Sequence, residues 1–405
     1  MKPIRNKFTN HVLGAPAGWD EANTILTTTG GGRTLLTNNM TGTGATNIGY
    51  GYLQLGDSTV GGSAAGMVGS GAILNNGTLG FNRSNSLTIA AVISGLGNLE
   101  QLGSGTTIIT GANTFQGRVT VRAGILEIQN NAGLGAAATA VTNRWANLTS
   151  VNAGGTLKIN VAAGGTIIEL LNLDGGTLAI SSGAAQTLSG PLVLRSGSTI
   201  SLNSAFNHVL SGQIISAPGA GLTVNSTIVG GTLLLTNTAN QLNGPLTIGT
   251  NATVQFGNNT AGGIGSRSDI VNNGTLITNT NDGHLVLGNK ISGSGNYIQA
   301  RNTVYLTADN TYTGTTTVGL QSVNAGVSLR IGNDTYTGSL GTGDVIVQAT
   351  TSGAADLRWH LIADTIVANN ITLNPNTDGT TARNATLLRQ GLGNITLTGN
   401  LTIGS

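Results

Sequence analysis

The sequence predicts an all-β chain coiled as a parallel β-helix, a β-solenoid, and three observations carry that prediction. Glycine is abundant, 64 of 405 residues against six prolines, while charged residues make up 8% and aromatic residues 3%. Short alternating runs of Leu, Ile, Val and Thr recur throughout, separated by Gly-Gly, Asn-Gly and Asn-Asn. Whole blocks of these runs then repeat along the chain.

Composition excludes the competing classes first. So much glycine with so few long charged side chains opposes helices, and β-branched residues favour strands. An apolar fraction of 39% and a net charge of +2 exclude a disordered chain. Irregular glycine spacing and scarce proline exclude collagen. The charge balance is small and shows no basic stripe interleaved with aromatics, so no nucleic-acid partner is expected. The absence of cysteine removes disulfides and thiolate metal sites. No stretch approaches a membrane-spanning helix. The opening "MKPIRNKFTNHVLGAPAGWDEANT" is basic but holds no apolar run of signal-peptide length.

The strand unit reads Gly-Thr-Leu-x-Ile, Leu-Thr-Ile or Val-x-Val. Its alternation sends one set of side chains inward and the other outward. Gly and Asn between the units supply the special backbone angles of tight corners. Strands this short cannot each build a private core. Stacking coils of about 20 residues buries a continuous aliphatic column instead.

The repeats support that stack. "LQLGDSTVGG" begins at Leu53 and "LEIQNNAGLG" at Leu126; "VQFGNNTAGG" begins at Val254 and "LRIGNDTYTG" at Leu329. "NNGTLGF" (75–81) corresponds to "NNGTLIT" (272–278), and "ISGLGNLEQ" (93–101) to "ISGSGNYIQ" (291–299). In the middle, "GGTLAI" (175–180) then "SGPLVL" (189–194) returns as "GGTLLL" (230–235) then "NGPLTI" (243–248). Shorter steps join "GGTLKI" (154–159), "GGTIIE" (164–169) and "GGTLAI". A pair of β-sandwiches would need longer hairpin partners and more aromatic core. A propeller would need a regular blade period, which is missing.

Residues 1–45 stand apart from the pattern and are expected to form a cap or attachment segment, with the solenoid over 46–405. At the other end, "NITLTGNLTIGS" stops in full strand alternation. An open β-edge invites pairing, so the chain is expected to be truncated there, or to meet another chain or a second copy of itself.

"GANTFQGRVTV" (111–121) and "ADNTYTGTTTV" (308–318) share Asn-Thr-aromatic-x-Gly-x-x-Thr-Val. With the Leu-x-Ile runs that follow, they resemble the autotransporter-associated β-strand repeat of bacterial secreted adhesins. The resemblance is strongest at 103–135 and 303–342, fades over 143–253, and does not reach 1–45. It implies a right-handed parallel β-helix outside a bacterial cell, usually without catalysis. The family's C-terminal barrel is not part of this sequence. Solenoids of this kind also occur on phage virions, so a virion fibre is one alternative and a polysaccharide lyase or hydrolase another. Within the motif, Asn and Gly are expected to bend a corner and the ring to close the gap beside it.

Chemistry-bearing residues are sparse. The histidines are His11, His208, His284 and His360, the last in "LRWHLI" beside Arg358 and Trp359. Asp344, Asp356, Arg358, His360 and Asp364 form the best acid–base group on paper, yet most of the aspartates sit in turns, where they cap backbone amides. No catalytic residue, metal site or cofactor is assigned. Trp145, Trp359, Arg358 and His360 are the candidate surface contacts, Arg-Trp pairs being able to stack on sugars. The expected partners are a host-surface glycan or protein.

Overall fold

The computed structural model describes residues 4–6, 11–13, 26–28, 31–37, 39, 43–57, 68–136, 147–260, 262–265, 268–320, 322, 325–333, 335–377 and 382–404. Among them every element is a β-strand, and no helix is long and apolar enough to cross a membrane. The chain divides into two compact units, Met1–Ser204 and Ala205–Ser405.

The first unit is a parallel β-solenoid. One stack contains Tyr52–Leu55, Thr78–Phe81, Asn98–Gln101, Val119–Val121, Thr149–Asn152, Leu171–Asp174 and Leu192–Leu194. A second contains Leu87–Ile89, Thr106–Ile109, Gly124–Ile128, Gly155–Ile159, Thr177–Ile180 and Ser198–Leu202. Leu79, Leu99, Val119, Thr149, Leu171 and Leu192 stand in register, one coil above the next. The close repetition of "GGTLKI", "GGTIIE" and "GGTLAI" now has a cause. Gly155–Ile159 and Thr177–Ile180 are partners on successive coils, whereas Gly165–Ile167 belongs to another face and pairs with Gln186–Leu188.

Parallel pairing also runs within residues 1–45, the expected cap or attachment segment. Arg33–Leu36 pairs in parallel with Tyr52–Leu55, Leu26–Thr28 with Thr46–Ile48, and Ile4–Asn6 with Leu26–Thr28. "RTLL" carries the same two-residue alternation as the later strands, with Thr34 and Leu36 buried. A glycine-rich stretch without repeated neighbours hid it.

The second unit is also a parallel solenoid. Leu222–Ser226, Leu246–Ile248, Ile270–Asn272 and Ile291–Ser292 form one stack. A second runs through Thr232–Leu235, Thr253–Phe256, Thr275–Leu287 and Asn296–Leu306. The last two strands are long because each rounds a corner, with a register irregularity between Thr278 and His284 and a positive φ of 56° at Asn302. Beyond them the sheet forks. Tyr297–Gln299 pairs with Thr316–Val318, while Asn302–Leu306 pairs with Val327–Ile331, which leads to Ala355–Leu361 and Ala385–Gly391.

In both units the inward column is aliphatic. Leu53, Leu79 and Leu99 are at most 1% exposed, as are Val304, Leu329 and Leu357. Each buried leucine contributes about 1.5–3 kcal/mol relative to leaving it in water. Gln101 interrupts the column between Phe81 and Val121, and the coil accommodates it fully. Its amide donates to the Gly103 and Gly105 carbonyls, and its carbonyl accepts from the Thr107 hydroxyl at 2.7 Å.

Candidate functional site

The recurring motif is a corner that joins three coils. Asn113 accepts the Ile93 N–H at 2.9 Å and donates to the Gly133 carbonyl at 2.8 Å. Asn310 repeats this, accepting the Ile291 N–H and donating to the Ser339 carbonyl, both at 2.8 Å. One buried amide therefore ties the coil before it to the coil after it, at the last strands of two ladders, Ile93–Ser94 and Ile291–Ser292. An unpaired buried N–H would cost about 1–3 kcal/mol.

The other motif positions follow from the same packing. Phe115 and Tyr312 are fully buried, so each ring fills the core under its corner. Tyr312 keeps its hydroxyl satisfied against the Thr316 hydroxyl at 2.7 Å. A Cβ on Gly117 would lie 2.1 Å from the Gly97 carbonyl oxygen, and one on Gly314 would lie 2.2 Å from that of Gly295. Only glycine lets the coils approach there. The preceding corner is duplicated as well: Asn75 donates to the Asn98 carbonyl and Asn272 to that of Asn296.

A third copy escaped the sequence reading. Asn240 accepts the Ile214 N–H at 2.8 Å and donates to the Gly263 carbonyl at 2.6 Å, with Leu242 buried where the ring stands elsewhere. Its sequence, "NQLNGPLTI" (240–248), matches once the motif is relaxed to Asn-x-bulky-x-Gly-x-x-Thr-aliphatic. Requiring an aromatic residue had concealed it.

The paper group around residue 358 does not assemble as an acid–base site. Along Ala355–Leu361 the alternation turns Ala355, Leu357 and Trp359 inward, and Asp356, Arg358 and His360 outward. Asp356 accepts from the Ser328 hydroxyl at 2.7 Å and lies 3.5 Å from the Arg358 Nε. Asp344 instead accepts from the Asn370 amide at 3.0 Å, and Asp364 caps the Asn394 N–H at 2.7 Å. Asp344 is thus held by a side-chain amide and Asp364 by a backbone amide, each away from Asp356.

The expectation for Trp359 is corrected. Its residue is 3% exposed, so it presents no ring to a sugar. It stands in register with Ile331, and it helps line a cleft of about 300 Å³ with Leu340 and Val367, a lining without a carboxylate among the described residues. The odd–even position within the strand places it inside, and the neighbouring arginine outside. Trp145 lies outside the described residues. Arg358 and His360 are half-buried on the outer face, where Arg358 donates to the Gln390 side-chain amide oxygen Oε1 at 3.2 Å.

The remaining histidines divide by burial. His208 is fully buried, and burial depresses its pKa. His284 is exposed, its ring 5.8 Å from that of Tyr305. His11 opens the strand His11–Leu13. Among the described residues no three His, Asp or Glu side chains converge to hold a metal ion.

Sequence analysis missed Glu169, the most perturbed carboxyl. It is 5% exposed and borders a cleft of about 220 Å³ lined by Leu134, Thr166, Ile167 and Ile168. Burial pushes its pKa up to about 8, which the Thr149 hydroxyl only partly offsets. Its place at the end of "GGTIIE", where an apolar residue closes the related repeats, was the available signal.

Comparison with known proteins agrees with this architecture. The passenger-associated-transport-repeat family matches residues 99–128 and 302–319, two stretches that overlap the two corners or lead into and out of them. An adhesin autotransporter, BmaC of Brucella suis biovar 1 (strain 1330), is 34% identical over 125 residues, 30% of this chain. The match spans 3% of that adhesin's length. No solved structure matches the chain. Residues 99–128 and 302–319 are thus similar to passenger-associated-transport repeats, and part of the chain is similar to an autotransporter adhesin.

Proposed function

We propose that this chain is a non-enzymatic, extracellular β-solenoid displayed at a bacterial cell surface, where it acts as a rigid stalk and adhesive surface. The observation that carries the reading is the likeness to an autotransporter adhesin, on repeats whose distinctive residues are spent on architecture. With Asn113, Asn310, Phe115 and Tyr312 holding coils together, the outer faces are what a partner meets. Those faces are largely Thr, Ser and Asn, suited to many weak polar contacts with a host-surface glycan or protein. The adhesin likeness favours this reading over a virion fibre, and the dispersal of Asp344, Asp356 and Asp364 weighs against a lyase.

Display of the chain on a non-adherent bacterium tests the proposal. Adherence to host cells should rise above that of the same bacterium without it. A folded, surface-accessible chain that leaves adherence unchanged would overturn the adhesive role. Separately, cleavage of an acidic polysaccharide that Asp356→Ala abolishes would overturn the non-enzymatic reading.

A further inference from the structure

On the outer face of the second unit, five strands place a basic ledge in one row. Register aligns Val286, Tyr305, Arg330, Arg358 and Leu388 across Thr275–Leu287, Asn296–Leu306, Val327–Ile331, Ala355–Leu361 and Ala385–Gly391. Successive strands lie about 4.8 Å apart, so the two arginines are direct neighbours. Like charges directly opposite on a sheet repel.

The two guanidinium groups are held in place by different means. Arg330 lies over the Tyr305 ring, 5.1 Å from its centroid, and donates to the Tyr305 hydroxyl at 2.5 Å. The exposed His284 ring flanks that tyrosine on the other side. Arg330 has no carboxylate partner among the described residues. Arg358 shares Asp356 with the Ser328 hydroxyl. His360 shares the outer face of the Arg358 strand. In the first unit, by contrast, Arg122 and Lys158 meet Glu100 and Glu127 at 3.2 and 3.0 Å. The ledge around Arg330 thus carries more positive charge than its own carboxylate neutralises.

We infer that this ledge binds an anionic polysaccharide through its carboxylate or sulfate groups, with Arg330 and Arg358 as the contacts. The inference rests on the adhesive reading and gives it a ligand class. A guanidinium presents a planar fork of donors that matches either oxyanion. Tyr305 and Gln390 hold the two forks in fixed orientations, which lowers the ordering cost of binding. An anion set across the row also relieves the repulsion between the neighbouring arginines. The adjacent outward row runs Thr303, Ser328, Asp356 and Thr386, in which Asp356 is engaged by Ser328 and Arg358 and the Thr303 and Thr386 hydroxyls on either side are there for sugar hydroxyls to meet. An extended polymer fits a ledge that repeats from strand to strand.

The purified full chain should bind heparin in a manner that weakens with salt, and should not bind dextran. Arg330→Gln with Arg358→Gln should lower that affinity by about tenfold or more, given the strength of charge-assisted contacts. Arg122→Gln, on a paired arginine of the first unit, should leave it unchanged. Hyaluronan, which carries carboxylates alone, distinguishes the two anions: binding comparable to heparin assigns carboxylate recognition, and heparin alone assigns sulfate. Equal heparin binding by a folded double variant would overturn the site. Binding of neither glycan, or tighter binding of a DNA duplex than of either, would overturn the ligand class. Cell adherence that persists in the double variant would sink this ledge while leaving the adhesive reading standing.

Discussion

Replacing Asn310 with alanine removes the clamp between three coils. The Ile291 N–H, on a fully buried residue, loses its acceptor, and the half-buried Ser339 carbonyl loses its donor. Stranding the amide costs about 1–3 kcal/mol, and loss of the second bond about 1 kcal/mol, so the variant should be destabilised by about 2–4 kcal/mol. In urea, with a slope of about 2 kcal/mol per molar, the midpoint should fall by about 1–2 M. Because coils of a solenoid can unfold separately, amide hydrogen exchange at Ile291 supplies a local reading, and its protection should fall together with the midpoint. Asn113→Ala should behave alike in the first unit. A midpoint shift below about 0.2 M with unchanged Ile291 protection would refute the clamp, since the loss would then be under about 0.5 kcal/mol.

Tyr312→Phe should cost about 1 kcal/mol by removing the bond to Thr316, with the ring packing retained as Phe115 retains it; thermal denaturation checks this. Gly314→Ala should be destabilising by about 3 kcal/mol or more because its Cβ meets the Gly295 carbonyl. Gly197→Ala, with nothing within 4 Å of its Cβ, should stay within about 0.5 kcal/mol. Glu169 gives a pH dependence of definite sign. Its carboxyl ionises near 4.5 when unfolded and about 8 when folded, so the folded state binds more protons over that interval. Stability should therefore fall as pH rises from 4.5 to 8, by about 3 kcal/mol at pH 7 relative to pH 4. Glu169→Gln should remove that slope in chemical denaturation series, and parallel profiles for the two proteins would contradict the assignment.

The parallel coil was legible because its cause is local: the two-residue alternation and the Gly and Asn corners are written into each strand. The pairing of "RTLL" with Tyr52–Leu55 was not legible because the stretch has the alternation without a repeated context. The third corner at Asn240 was missed because the position under a corner requires bulk, and leucine supplies it as well as an aromatic ring does. Trp359 was misjudged although strand parity contained the answer, with Leu357 and Trp359 two residues apart on one face. The Arg330–Tyr305 contact was beyond reach. It depends on which residues stand opposite across coils 25 residues apart in the chain, and that register is set by loop lengths, not by local pattern.

The central claim is that the repeated motifs build parallel coils in a defined register, and the lack of cysteine in this chain makes that directly measurable. Thr120 and Ser150 are register partners in the first unit, as are Thr247 and Val271 in the second, and all four are half-buried. Partners on adjacent strands lie within disulfide reach, and a one-residue slip turns one side chain to the opposite face. T120C with S150C, and T247C with V271C, should each oxidise to an intramolecular disulfide in the folded protein, while T120C with V151C should not. Cross-linking of the slipped pair as readily as the matched pairs, or of none, would contradict the solenoid.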